Sequence, residues 1–279
     1  MSGTRSAQVL AASRALGRPA LVGYLPAGFP DVAGAADAAK VLLDCGVDLV
    51  ELGLPYSDPS LDGPVIQAAC VQALAQGTRT RDVVATVEQV AAHRDDAAVV
   101  VMTYWNPVLR YGPQAFARDL DAAGGAGLIT PDLTPDSGPD WLEAARAHDL
   151  DTVFLVAPSS TEQRLASTVE ACRGFVYAAS LMGVTGERTS VGAQAEHLVR
   201  RARQAADDLG VERFVCVGLG VSTPDQAAEV GRYADGVIVG SALVRCLLEA
   251  DDPADGRRRL ARLATDLADA VHGVAAVAS

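Results

Sequence analysis

The stretch VELGLPYSDPSLDGPVIQ, Val50–Gln67, begins as a buried strand and ends as a loop that carries acids. Val50 and Leu52 are apolar, Glu51 lies between them, and Asp58 and Asp62 follow in a turn rich in Gly and Pro. Strand side chains alternate between faces, so Glu51 points away from the side that Val50 and Leu52 share. Apolar residues on one face and a carboxyl on the other, at a strand's C-terminal end, suit the mouth of a β/α barrel.

Short β-rich runs of the same kind recur along the chain, at Leu21–Leu25, Val47–Leu52, Ala98–Thr103, Gly127–Ile129, Thr152–Val156, Gly174–Ala178, Arg213–Val217 and Gly236–Val239. Most are nearly continuous apolar runs, as expected of parallel strands covered on both faces. The intervening segments, among them Val32–Cys45, Pro113–Ala123, Ser137–His148 and Thr223–Arg232, have helical length and periodicity. Eight β/α units in about 250 residues is the size of a (β/α)8 TIM barrel. Extra helical material is expected at the N-terminus, Thr4–Leu16, at the C-terminus, Asp255–Val271, and at Arg79–His93 after the second strand. A doubly wound open sheet also alternates β and α, but no G-x-G-x-x-G follows the first strand. No linker or low-complexity tract divides the chain, so residues 1–279 are expected to form one domain.

The chain has 35 acidic and 23 basic residues, a net charge of -12, which argues against nucleic acid or an anionic membrane as partner. Of the basic residues only Lys40 is a lysine. The five cysteines are scattered, without a C-x-x-C pair, and read as buried thiols of a reducing compartment. Neither a signal-peptide core nor a membrane-length apolar run is present, so a soluble cytoplasmic protein is expected.

Glu51 at a strand end would be partly desolvated, which raises its pKa and suits it to give or take a proton. Pairing with an arginine would explain such a glutamate structurally; the acidic loop that follows, with Asp62, shifts the balance toward chemistry. A second constellation lies in VGLGVSTPDQ (Val217–Gln226) and GVIVGSALV (Gly236–Val244), each a strand, a glycine turn and a helix start. Loops after strands seven and eight form the usual TIM-barrel phosphate site. The loop SLMGVTGERTSVG (Ser180–Gly192) has the length and glycines of a lid. The four histidines fall in or beside helical segments and Lys40 within one, so neither a metal cluster nor a Schiff-base lysine is in view. If the protein breaks a carbon–carbon bond in a sugar phosphate, the substrate must supply its own electron sink.

ELGLPYSDPSLDGPVIQ resembles the signature of the tryptophan synthase α subunit family, and PALVGYLPAGFPD, VMTYWNP, SLMGVTG, GLGVSTPDQ and GVIVGSA match its other blocks in the same order. The resemblance runs from about Pro19 to Val244. It implies a TIM barrel that splits indole-3-glycerol phosphate into indole and glyceraldehyde 3-phosphate, without a cofactor or metal. By resemblance, Glu51 is the catalytic glutamate and Asp62 the aspartate that meets charge at the indole N–H. Tyr177 matches an active-site tyrosine, and Thr185 the lid threonine that meets the aspartate. Gly186, Gly220, Gly240 and Ser241 match phosphate-binding positions, while Tyr24 and Tyr104 would line the indole pocket.

The family passes indole to a pyridoxal-phosphate β subunit in an α2β2 heterotetramer, and Asp58 and Pro59 fall in the contact region. The chain departs from the family pattern at Ser60-Leu61, usually an apolar-Ala pair, at DLTPDS (Asp132–Ser137), and at Glu187 beside Gly186. Two alternatives keep the fold: a stand-alone lyase releasing free indole, and a catalytically silent subunit that activates a β partner.

Overall fold

The computed structural model describes residues 4–179, 188–218 and 220–275, with side chains from 192 onward in the second segment. Its first half runs α1 (Arg5–Ala15), β1 (Ala20–Pro26), α2 (Val32–Asp44), β2 (Leu49–Gly53), α3 (Pro64–Ala75), α4 (Thr80–Ala91), β3 (Ala98–Met102), α5 (Trp105–Tyr111), α6 (Pro113–Ala122) and β4 (Gly127–Thr130). A 3-10 turn at Pro135–Ser137 then leads into α7 (Pro139–Ala147), β5 (Asp151–Val156), α8 (Glu162–Ala171) and β6 (Phe175–Ala179). The chain closes with α9 (Arg188–Leu209), β7 (Phe214–Gly218), α10 (Pro224–Gly231), β8 (Gly236–Val239), α11 (Ser241–Leu248) and α12 (Pro253–His272).

The strands are parallel and close into a barrel in sequence order, β1 pairing with both β2 and β8. That closure excludes the open doubly wound sheet and is the TIM barrel expected from the sequence. Period-two alternation divides the core into two shells. Ala20, Val22, Leu49, Val100, Ile129, Val153, Phe175 and Ile238 belong to the inner cluster, whereas Leu21, Val50, Leu52, Val99 and Val101 pack outward with the helices. Glu51 and Tyr24 continue the inward series of their strands and are register partners.

The helices that follow β2 sort differently from expectation. Thr80–Ala91 packs against α2, α6 and β3 and so takes a place in the outer ring. Pro64–Ala75, lying against α11 and β1, is the added helix near the mouth. The C-terminal α12 fills the ring between α10 and α2. Proline opens α3, α6, α7, α10 and α12, where its missing N–H costs no hydrogen bond.

At the opposite end of the barrel, α1 contributes Val9 and Leu10 to the inner cluster. It is fastened by the Ser6 backbone N–H and hydroxyl, which donate to one Asp151 oxygen at 3.2 and 2.5 Å. Beside it, Asp48 accepts from both Arg18 terminal nitrogens, from the Leu21 N–H and from His272. No helix among the described residues is long and apolar enough to cross a membrane.

Candidate active site

A cavity of about 240 Å³ opens at the C-terminal mouth of the barrel. It brings together Tyr24, Glu51, Asp62, Tyr177, Gly220, Gly240 and Ser241, which stand far apart in sequence. Leu61, Ile66, Met102, Val221 and Ile238 complete its lining. An apolar wall with a few polar groups converging on it suits a small-molecule ligand.

Glu51, at 1% exposure, occupies the floor. Its Oε2 has no hydrogen-bond partner among the described residues, so the arginine that would make it structural is absent there. Burial first, and the charge of Asp62 second, push its pKa up to about 8. A carboxyl in that state holds a proton at neutral pH and can still lose it. Asp62 is half-buried on the loop before α3, and burial raises its pKa above the ordinary value. The two carboxyls face one cavity with unequal burial, Glu51 the deeper of the two.

The two tyrosines are fixed by glycines. A Cβ at Gly53 would stand 2.6 Å from the Tyr24 ring, and one at Gly218 would stand 2.6 Å from Cζ of Tyr177. Each ring therefore uses the space that a neighbouring strand leaves by having no side chain. Burial above all, then the Cys70, Asp62 and Glu51 charges, raises the Tyr24 phenol well above its usual value; burial, then Glu51, does the same for Tyr177. Both hydroxyls stay neutral. Cys70 is buried near Tyr24, and burial first and the Asp62 charge second push its thiol up to about 12.

The opposite end of the cavity is made from the two late loops, and the helices behind them differ. α10 is closed by its own capping box, in which Thr223 caps Gln226 N–H while the Gln226 side chain accepts from Ser222 and Thr223. α11 begins at Gly240 and Ser241 with no side-chain cap. The Ser241 and Ala242 N–H groups that open α11 therefore have no side-chain cap, the arrangement that suits an anion, and Gly220, with φ +99°, lines the same cavity.

Other expected positions fall elsewhere. Tyr104 is not in the cavity lining; its hydroxyl lies against the backbone of Ser60 and Leu61, and its ring packs on Tyr56. Met102, two residues earlier on β3, faces the cavity. Asp58 is exposed and hydrogen-bonded to the Ser57 hydroxyl, and Pro59 is half-buried beside it. Thr185 and Gly186, with the rest of Ser180–Glu187, lie outside the described residues. Cys70, Gly53 and Gly218 were not singled out from the sequence, since their importance depends on strand register and on the path of α3. A glycine two residues beyond Glu51 on the same strand face was the only available signal.

The family model for the tryptophan synthase alpha chain matches residues 10–272. The tryptophan synthase alpha chain of Acidothermus cellulolyticus is 56% identical over 268 residues, 96% of this chain and 97% of that protein. That of Streptomyces coelicolor is 55% identical over 266 residues, 95% of this chain and 96% of that one. Among solved structures, tryptophan synthase from M. tuberculosis in its aminoacrylate-bound form superposes with a TM-score of 0.86 at 50% identity, covering 96% of this chain and 100% of that chain. Tryptophan synthase subunit alpha from Legionella pneumophila superposes equally well, with a TM-score of 0.86 at 28% identity, over 98% of this chain and 100% of the other. The barrel, the paired carboxyls at its mouth and these matches over nearly the whole length lead to one conclusion: the chain belongs to the tryptophan synthase alpha chain family.

Proposed function

We propose that this chain, as one barrel domain, cleaves indole-3-glycerol phosphate to indole and glyceraldehyde 3-phosphate, acting in tryptophan biosynthesis as the α subunit of a cytoplasmic α2β2 complex. The observation that carries the chemistry is Glu51: buried, without a hydrogen-bond partner on Oε2 among the described residues, raised to about 8, and facing the same cavity as Asp62. Protonated Glu51 delivers its proton to indole C3, which turns the ring into an electron sink. The resulting carboxylate takes the proton of the glycerol hydroxyl next to the ring. The electron pair of that O–H bond forms the aldehyde C=O, the C–C bond to the ring breaks, and its electrons restore the indole. Glu51 gives one proton and regains one, so no external acid or base is consumed.

Asp62 meets the positive charge that C3 protonation places on the ring N–H, an interaction stronger in the transition state than in the ground state. Tyr24 and Tyr177 hold the ring between them. Gly220, Gly240 and Ser241, with the uncapped start of α11, receive the phosphate. Thr185 and Gly186 are assigned to lid and phosphate contacts by resemblance to the family. Asp58 and Pro59, on the exposed outer part of the loop, face the β subunit.

The test is the release of indole from indole-3-glycerol phosphate by the purified chain, with and without a tryptophan synthase β subunit. Slow turnover alone and marked stimulation by the β subunit is the expected result. High activity alone without stimulation would replace the complex by a stand-alone lyase, and no turnover in either condition would overturn the activity.

A further inference from the structure

The loop that presents Asp62 has almost no structure of its own. Among the described residues, 55–62 make no backbone–backbone hydrogen bond, and Pro55 and Pro59 have no N–H to offer. Ser57, Asp58, Ser60 and Leu61 are all exposed. Yet a catalytic carboxylate must be held to within a fraction of an ångström to be worth its charge.

Tyr104 supplies an anchor. Its hydroxyl oxygen accepts the N–H of Ser60 and the N–H of Leu61, both at 2.9 Å, using both lone pairs on the two residues directly before Asp62. On the far side of Asp62, the Gln67 side chain donates to the Asp62 carbonyl at 2.7 Å. Tyr104 is itself held firmly: it is 6% exposed, and its ring meets Tyr56 at 5.2 Å between centroids. It is also the N-cap of α5, whose first N–H, that of Trp105, donates to both Asp132 oxygens at 2.9 and 3.1 Å. The rigid end of β3 and α5 therefore reaches across to fix a loop that cannot fix itself.

We propose that Tyr104 is a positioning residue for Asp62, its hydroxyl holding the Ser60-Leu61 backbone so that the Asp62 carboxylate stands at the cavity. The proposal rests on the role given to Asp62 above. It also gives the unusual Ser60-Leu61 pair a function through its backbone, independent of which side chains stand there.

Tyr104→Phe keeps the ring, its burial and its contact with Tyr56, and removes only the acceptor. Because the two freed N–H groups belong to exposed residues, water replaces the hydroxyl and the fold is retained. The expected result is a loss of roughly 10- to 100-fold in kcat for indole-3-glycerol phosphate cleavage with KM changed by less than about threefold. The alkaline limb of the pH–rate profile is also expected to move to lower pH, and to do the same in Asp62→Asn, because the charge that helps lift Glu51 has moved away or gone. In an Asp62→Asn background, Tyr104→Phe should change kcat by less than about twofold, since it acts only through that carboxylate.

An equal loss in both backgrounds, or wild-type turnover and pH profile in Tyr104→Phe, would overturn the proposal. Wild-type turnover in Asp62→Asn would remove the role of Asp62 and the positioning role with it. An impaired Asp62→Asn beside an unimpaired Tyr104→Phe would remove the positioning role alone.

Discussion

The burial that suits Glu51 to the proposed proton transfer also makes it costly to the fold. Its pKa of about 8 lies above the ordinary 4.5, so the folded state keeps a proton that the unfolded chain releases. Between those two values stability falls as pH rises, and above about 8 the loss is complete. Glu51→Gln has no proton to lose, and is expected to be more stable than wild type by a few kcal/mol on the order-of-magnitude scale of 1.36 kcal/mol per pKa unit. Urea denaturation at pH 5 and pH 9 checks this: the advantage of the variant should be larger at pH 9, and a constant difference would contradict it. Glu51 and Asp62 were legible in the sequence because both stand in one motif at a strand end and the loop after it, whereas Tyr177 was legible only through the family resemblance. Tyr104 was legible only as an aromatic near the site. Whether its hydroxyl faces the substrate or the Ser60-Leu61 backbone depends on how the second and third loops pack, which no local pattern records.

At the scale of elements, the parallel strands were readable because burial on both faces leaves continuous apolar runs; their ends moved by no more than two residues. Asp48 shows why β2 starts later than the apolar run suggests, since its carboxylate takes the Leu21 N–H next to the ladder. The ring place of α4 was less readable than its existence, because the preceding α3 also follows β2 and only packing tells the two apart. The attachment of α1 was not readable, because Ser6 and Asp151 are 145 residues apart. Burial raises the Asp151 pKa to about 6, against the hydrogen bonds from Ser6 that favour its charged form. Ser6→Ala removes the hydroxyl donor and is expected to destabilise the protein by about 1–3 kcal/mol when Asp151 is charged. The loss should be greater at pH 8 than at pH 5, where the carboxyl is protonated in either variant. Equal losses at the two pH values would show that the bond to the ionised carboxylate is not what holds α1.

Across the whole molecule, Asp48 joins parts of the chain far apart in sequence, tying the approach to β1, the start of β2 and the end of α12 together. Burial opposes its ionisation, but the hydrogen bonds from His272 and Arg18 outweigh that and hold its pKa below 3.8. An acid of this kind stabilises the fold above its unfolded pKa and loses that contribution as pH falls through the folded value. Asp48→Ala should lower the melting temperature at pH 7 by roughly 2–8 °C, with the difference from wild type shrinking below pH 3.8. A melting temperature unchanged at pH 7 would mean that this junction does not depend on the Asp48 carboxylate.

In the proposed function a protonated Glu51 at the floor of this cavity transfers the protons of a retro-aldol cleavage. That role is tested most directly by steady-state indole release from indole-3-glycerol phosphate by wild type and Glu51→Gln, each with a β subunit present. The expected result is a fall in kcat of about 100- to 10,000-fold with KM nearly unchanged. A kcat within a few-fold of wild type, or a loss confined to KM, would contradict it.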